Sequence, residues 1–228
     1  MYILKDSTDL AVIGKSFPQS QSMSDGYPHF LEGSIQRIDY SKPVNYEPFL
    51  KSFQLEYRAK LTDNISSVSG GGGFLLISEK LLNIFLESNI ENYQYFEANV
   101  IYHKKDYKYY FFFIHGQDYS LVDYQNMKFW AMDERYYYEN KTRRLEAKID
   151  KPETLINWGK IKTYPYVEYP YLEYEALKLN HANIHVDMIK PPLTVYYLVN
   201  EKLKDKIEAA KCTGVEFSTK DWRERPIL

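Results

Sequence analysis

His181 and His185 stand four residues apart, a spacing that puts two imidazoles on one face of a helix, and on one face of a strand as well. A helical zinc site with that spacing adds a glutamate between the histidines or a third ligand nearby. Here the intervening residues are Ala182, Asn183 and Ile184, so the plainer expectation is a surface or hydrogen-bonded pair, and no metal ligand is assigned. Gly70 to Gly73 form the one glycine run. It lacks the Gly-Lys-Ser/Thr ending of a phosphate loop, and it precedes a strand where a phosphate loop follows one. No Gly-x-Ser-x-Gly elbow occurs. Cys212 falls at the end of an expected helix, where the dipole disfavours a thiolate. His103 and His115 bracket an expected hairpin. The carboxylates are scattered, and a glycosidase-like pair among them would depend on tertiary distances. No catalytic, cofactor-binding or metal-binding residue is therefore assigned, and the chain is expected not to be an enzyme.

The pattern that does invite a binding role is a tandem. Tyr164-Pro165-Tyr166-Val167-Glu168 is followed at once by Tyr169-Pro170-Tyr171-Leu172-Glu173. Each proline drives the preceding tyrosine towards extended geometry and cannot donate to a ladder, so an exposed extended segment or an edge strand is expected. Tyrosine offers a large contact area, few rotors and a polar tip, and is enriched at interfaces. Tyr164, Tyr166, Glu168, Tyr169, Tyr171 and Glu173 are accordingly the candidate partner-binding residues, with the carboxylates facing a basic partner. The competing reading is a half-buried strand with one tyrosine face in the core. Lys141, Arg143 and Arg144 could touch phosphate or form a solvated face.

Several elements would position these residues. Pro18, Pro28, Pro43 and Pro48 punctuate residues 1–60, which are expected to be short strands and loops, with a strand over Phe53–Lys60. Phe74–Ile77 reads as a buried strand. Ser78 caps a helix over Glu79–Ser88, with Glu79 favourably placed in its first turn and Leu81, Leu82, Phe85 and Leu86 on one face. Strands over Tyr95–Tyr102 and Tyr107–His115, joined at Lys104-Lys105-Asp106, form a hairpin. The run Tyr109–Ile114 has no polar face, so both its faces should be covered. Short strands are expected at Leu121–Tyr124, Met127–Met132 and Thr194–Val199. After Asn200 as a cap, Leu203, Ile207 and Ala210 mark another helix, with Gly214 as its left-handed terminator and a strand from Val215.

At 228 residues, with 44% hydrophobic and 26% charged residues, the chain suits one large or two small globular domains. Its net charge of -2 lacks the basic excess of a general nucleic-acid binder. The 23 tyrosines are the abnormal count, and no composition rule converts them into a reaction. One cysteine cannot form an internal disulfide, residues 1–14 show no signal-peptide pattern, and no apolar run reaches membrane-spanning length. A cytoplasmic protein without membrane contact is expected.

Two segments echo each other. Phe74-Leu75-Leu76-Ile77-Ser78-Glu79-Lys80-Leu81 aligns with Tyr196-Tyr197-Leu198-Val199-Asn200-Glu201-Lys202-Leu203. Phe85 then falls on Ile207, and a one-residue gap brings Phe96 onto Phe217. Either all strand–cap–helix units look alike, or the chain holds two related β-α-β halves. The division expected from these patterns is an irregular region at 1–69, a first α+β lobe at 74–132 and a second at 133–228, with one compact domain as the alternative.

The segment Val195–Leu203 leading into Thr213-Gly214-Val215-Glu216-Phe217 resembles the closing signature of a bacterial immunity-protein family of polymorphic toxin systems. Ile77–Leu81, Phe96–Tyr102, Tyr107–Ile114 and Val122-Asp123 are also similar to it, so the resemblance covers residues 74–125 and 193–218. It implies an α+β fold of mainly antiparallel sheet, no cofactor, and a cognate toxin domain as the protein partner; it carries no catalytic residue. Three rival readings stay open. One is a glycan- or nucleic-acid-binding module using Tyr and Trp (Trp130, Trp158 and Trp222 being its test), although nucleic acid is the less expected partner. Another is a hydrolase or transferase with a dispersed active site. The third is a self-associating structural protein. Oligomeric state is not specified by any of these patterns.

Overall fold

The computed structural model describes residues 1–23, 33–50, 53–67, 73–132, 144–147, 149, 153, 171–220 and 226–228. In chain order the strands are β1 (Tyr2–Asp6), β2 (Ser20–Met23), β3 (Phe53–Leu55), β4 (Asn64–Ile65), β5 (Leu75–Ile77), β6 (Tyr93–Tyr102), β7 (Lys105–Ile114), β8 (Phe129–Met132), β9 (Arg144–Ala147), β10 (Tyr171–Tyr174), β11 (Met188–Ile189), β12 (Tyr197–Val199) and β13 (Val215–Ser218). The helices are α1 (Leu10–Ile13), α2 (Glu79–Leu86) and α3 (Glu201–Ala209). The fold is α+β and mostly antiparallel; among the named strand pairs only β3–β6 is parallel.

The chain divides into two units, Met1–Gln117 with Val186–Ser218, and Asp118–His185 with Thr219–Leu228. This differs from the boundaries expected at 69/74 and 132/133. Pairing draws the division: β1 lies between β12 and β13, so the start of the chain and residues 186–218 belong to one body. Within residues 1–69, expected as an irregular strand/loop region packed on the body, β1 to β4 are integral to two sheets.

In the first unit a six-stranded sheet runs β2-β3-β6-β7-β5-β4 and a four-stranded sheet runs β11-β12-β1-β13. β7 explains its own apolar run. Tyr110, Phe112 and Ile114 pack with α2, α3 and the four-stranded sheet, against Leu81, Phe85, Tyr197 and Leu203. The alternate residues Tyr109, Phe111 and Phe113 pack on the opposite face with Phe53, Phe74, Leu76 and Val100. Strand alternation thus feeds two hydrophobic clusters from one strand. The hairpin turn is His103-Lys104, both left-handed with φ 49° and 62°, one register earlier than Lys104-Lys105-Asp106.

The echo is a structural repeat. β4-β5-β7-β6 and β11-β12-β1-β13 are the same antiparallel order. Ile65 opposes Leu76 as Ile189 opposes Leu198; Leu76 opposes Phe111 as Leu198 opposes Ile3; Tyr95 opposes Phe112 as Phe217 opposes Leu4. One constant offset of 122 residues therefore relates 76 to 198 and 95 to 217, and the gap that matched Phe96 to Phe217 closes onto Tyr95. Leu81 and Leu203 are equivalent and fully buried, as are Phe85 and Ile207 almost completely. The second half takes its middle strand, β1, from the far end of the chain.

Each half carries an aspartate that holds both halves. The carbonyl of Asp63 accepts from the N–H of Ser78 at 2.8 Å, and that of Asp187 accepts from Asn200 at 2.9 Å. Asp63 Oδ1 accepts from Ser78 Oγ, while Oδ2 accepts from Lys80 Nζ and from the N–H of Thr213 at 2.8 Å. Asp187 Oδ1 accepts from Asn200 Nδ2, while Oδ2 accepts from Lys202 Nζ and from the N–H of Asn89 at 2.9 Å. Ser78 and Asn200 meanwhile cap their helices by accepting from Leu81 and Leu203. Thr213 follows α3 and Asn89 follows α2, so each aspartate anchors the chain leaving the other half's helix.

Two expectations move for local reasons. The left-handed residue directly after α3 is Lys211 (φ 54°), and Gly214, also at positive φ, follows three residues later. Gly214 is required by contact: a Cβ there would sit 2.1 Å from the Asn64 carbonyl oxygen, and φ is +81°. Leu121–Tyr124 is not a strand. Short 3-10 turns form at Tyr119–Leu121 and Tyr124–Asn126, the first capped by Asp118 accepting from the Ser120 N–H. They belong to the second unit, whose three-stranded sheet runs β10-β8-β9; Phe129 of β8 and Leu177 and Leu179 beyond β10 are buried, and Leu177 bridges Ile227.

Burial alone would raise the carboxyls of Asp63 and Asp187, but the backbone, side-chain and lysine donors hold both below the usual range. A lowered native value stabilises the fold above the unfolded pKa, and that contribution is lost as pH falls through the native one. Asp187→Asn is therefore expected to lower the unfolding free energy by about 2 kcal/mol at pH 7. In denaturant titrations the deficit should start to shrink as pH falls below about 4 and disappear only once the pH has passed below the lowered native value, where wild-type Asp187 is protonated as well. A deficit unchanged across that range would refute a charge-based clasp.

Candidate functional site

The structure spreads the sequence-derived candidates rather than gathering them. Tyr164, Tyr166, Glu168 and Tyr169 lie outside the described residues, as do Lys141, Arg143, Trp158, Trp222 and Gly70 to Gly72. Tyr171 and Glu173 lie on β10, the outer strand of its sheet among the described residues, opposite Met132 and Trp130 of β8. The second tandem copy thus reaches an edge strand. His181 starts a 3-10 turn over His181–Asn183 and is exposed, as is His185. Among the described residues no three His, Cys, Asp or Glu side chains gather as a metal site would need. Cys212 is half-buried; burial and the nearby Asp63 charge push its thiol up, away from the thiolate a nucleophile requires.

One cluster that the sequence did not announce surrounds Lys190, next to β11. Its Nζ donates to the Gly73 carbonyl at 3.2 Å and lies 4.8 Å from the Tyr40 ring centroid and 5.5 Å from that of Tyr197. Tyr197 Oη donates to the same Gly73 carbonyl at 2.7 Å. Gly73 must be glycine, because a Cβ would stand 2.4 Å from the Tyr40 ring. Tyr40 Oη is buried with no hydrogen-bond partner among the described residues. Among the described residues no carboxylate pairs with Lys190, and burial lowers the pKa of its ammonium to about 8. Two aromatic faces offset part of that cost. The only sequence signal was a lysine set in an apolar stretch, Met188-Ile189 before it and Pro191-Pro192 after.

A second arrangement is open to solvent at one end of the six-stranded sheet. β3 runs parallel to β6, so Tyr57, just past β3, arrives beside His103, just past β6; their rings meet edge-to-face at 5.7 Å. Tyr102 Oη donates to the Ala59 carbonyl and ties the two segments. Gly14 bridges Ala59, and the Lys15 N–H donates to the Arg58 carbonyl at 2.8 Å. The Glu56 N–H donates to the Gln19 carbonyl, which brings Phe17 to the same end. Tyr57 is 78% exposed and Phe17 50%. Trp130, one of the three indoles, is by contrast half-buried and partnered.

No protein-family model and no curated protein matches this chain. No helix among the described residues is long and apolar enough to cross a membrane.

The Lys190 pocket of rings gives a stability prediction. Its native pKa lies below the unfolded value, so the charged form is disfavoured in the fold, and this group's contribution grows more favourable as pH rises past about 8. Lys190→Met should melt higher than wild type at pH 7, with the gap narrowing by about pH 9.5 as the wild-type amine neutralises. A gap that widens over that range would contradict the assignment.

Proposed function

We propose that this chain is a cytoplasmic immunity protein that binds a cognate bacterial toxin domain and neutralises it by protein–protein contact, with no catalysis of its own. The resemblance over residues 74–125 and 193–218 supports the reading, and most of those residues form the repeated framework of the first unit. An inhibitor of this kind needs a stable scaffold with exposed anchors, since rigid aromatic rings supply affinity and surrounding charges supply on-rate and specificity. The observation that carries the proposal is the pair of solvent-exposed rings, Phe17 and Tyr57, fixed by strand pairing at one end of the six-stranded sheet.

The Tyr-Pro-Tyr tandem is proposed as a further contact, since its second copy continues into the β10 edge. The alternative, a module stacking sugars or bases, draws on the same exposed rings Phe17 and Tyr57.

Co-expression with the product of the gene immediately upstream is the direct test. The expected outcome is a neighbour lethal alone, harmless with this chain, and co-purifying with it. A lethal neighbour that stays lethal without forming a complex ends the proposal for that pair. Within a protecting complex, Tyr166→Ala with Tyr171→Ala should weaken protection while leaving the melting temperature within a few degrees; equal losses of both would mark these tyrosines as core.

A further inference from the structure

We propose that the turn end of the six-stranded sheet, formed by Phe17, Tyr57, Arg58, His103, Lys104 and Lys105, is the docking surface for an acidic face of the partner protein. This rests on the inhibitor reading and adds to it the place of contact and the charge of what is met there. The surface joins three segments that are distant in sequence, and backbone pairing fixes them: Gly14 to Ala59, Glu56 to Gln19, and β3 beside β6. Its residues are not held in place by internal ion pairs. Lys15, Arg58, Lys104 and Lys105 are exposed, and none makes a salt bridge among the described residues. Lys60, beside them, spends its ammonium on the Ala11 carbonyl.

Charge is what selects the partner. These segments bring five cations, Lys15, Arg58, Lys60, Lys104 and Lys105, against two carboxylates, Glu56 and Asp106, in a chain whose net charge is -2. The patch is therefore a local inversion of the molecule's sign. Long-range attraction would orient an acidic surface towards it before contact. The rings then supply what charge alone does not. Tyr57 leaves a mostly exposed ring braced against His103, and Phe17 stands half-exposed at the same end. Exposed aromatics and arginine among unpaired cations are the composition of a binding hot spot. Asp106, held by Asn99 Nδ2 at 2.9 Å, places a fixed negative charge inside the basic rim. That mixed pattern suits a protein face with its own scattered charges better than a continuous phosphate backbone.

The test uses the full chain and the product of the upstream gene as the probe, with a twelve-nucleotide oligothymidylate as the second probe. Tyr57→Ala and the pair Arg58→Glu with Lys105→Glu are compared with wild type, and Lys42→Glu, an exposed cation elsewhere on the same unit, serves as control. Expected are a loss of at least about tenfold in affinity for both patch variants, the control unchanged, and weaker wild-type binding as salt rises. Melting temperatures should be unchanged, since every altered side chain is exposed. If wild type binds the neighbour and the patch variants bind equally well, the surface assignment is overturned while the inhibitor reading stands. If wild type forms no complex, both fall. If wild type binds the oligonucleotide tightly and the variants do not, the surface is a nucleic-acid site and the acidic-protein assignment is overturned.

Discussion

Two carboxylates tie the halves of the first unit together, and each works across the repeat as well as within its own half. Asp63 sits beside its own helix cap at Ser78 yet accepts the N–H of Thr213 beyond α3; Asp187 sits beside Asn200 yet accepts the N–H of Asn89 beyond α2. In each aspartate Oδ1 serves its own half, while Oδ2 also accepts a backbone N–H from the other half. A buried carboxylate is costly unless its lone pairs are filled, so the exchange binds the halves by necessity rather than by surplus attraction. Once the loops after the helices are fixed, β6 and β13 can start only where they do, and the strands that carry the exposed rings inherit that placement.

β7 makes the second half of the argument. It gives three residues to each hydrophobic cluster, and its aromatic side chains stack in both directions: Phe112 with Tyr93 on one side, Phe111 with Phe74 on the other. The equivalent strand of the four-stranded sheet, β1, carries Tyr2, Ile3 and Leu4 followed by Lys5 and Asp6. It cannot support a second cluster of that size. Asp6 is half-exposed as a residue, yet burial of its carboxyl raises it, offset by the amide of Asn64. The repeat is thus symmetric in hydrogen bonding and asymmetric in apolar mass. Only the aromatic-rich copy extends, through β3 and β2, into the wider sheet whose end is open to a partner.

What the sequence revealed was local. Ser78 and Asn200 as caps, the helices behind them, the two covered faces of Tyr109–Ile114 and the antiparallel hairpin all follow from residue type and period. The echo between residues 74–81 and 196–203 was legible as well, but its register was not, because only cross-strand partners show that Tyr95, not Phe96, matches Phe217. Non-local pairing defeated the rest. Nothing in Tyr2–Asp6 says that it lies between strands formed by residues 197–199 and 215–218. Lys190 and Tyr40 meet through a glycine distant from both, and nothing in the spacing of Phe17, Tyr57 and His103 shows that they meet. Period and composition report which face of an element is buried, not which distant element buries it.

The placement of β1 bears on how the protein is made. A ribosome adding ~5–20 residues per second would release β1 roughly 10–40 s before β13 exists to pair with it. Through that interval β1 offers two unsatisfied edges, Asp63 waits for Thr213, and the helix-side cluster lacks Tyr197, Leu203 and Ile207. The aromatic sheet can assemble during synthesis, because β4 to β7 are contiguous in sequence, but its face towards α3 stays uncovered until the last described strand of the unit is released. Closure is therefore a late event of high contact order, and the nascent chain is most exposed to strand addition and proteolysis just before it.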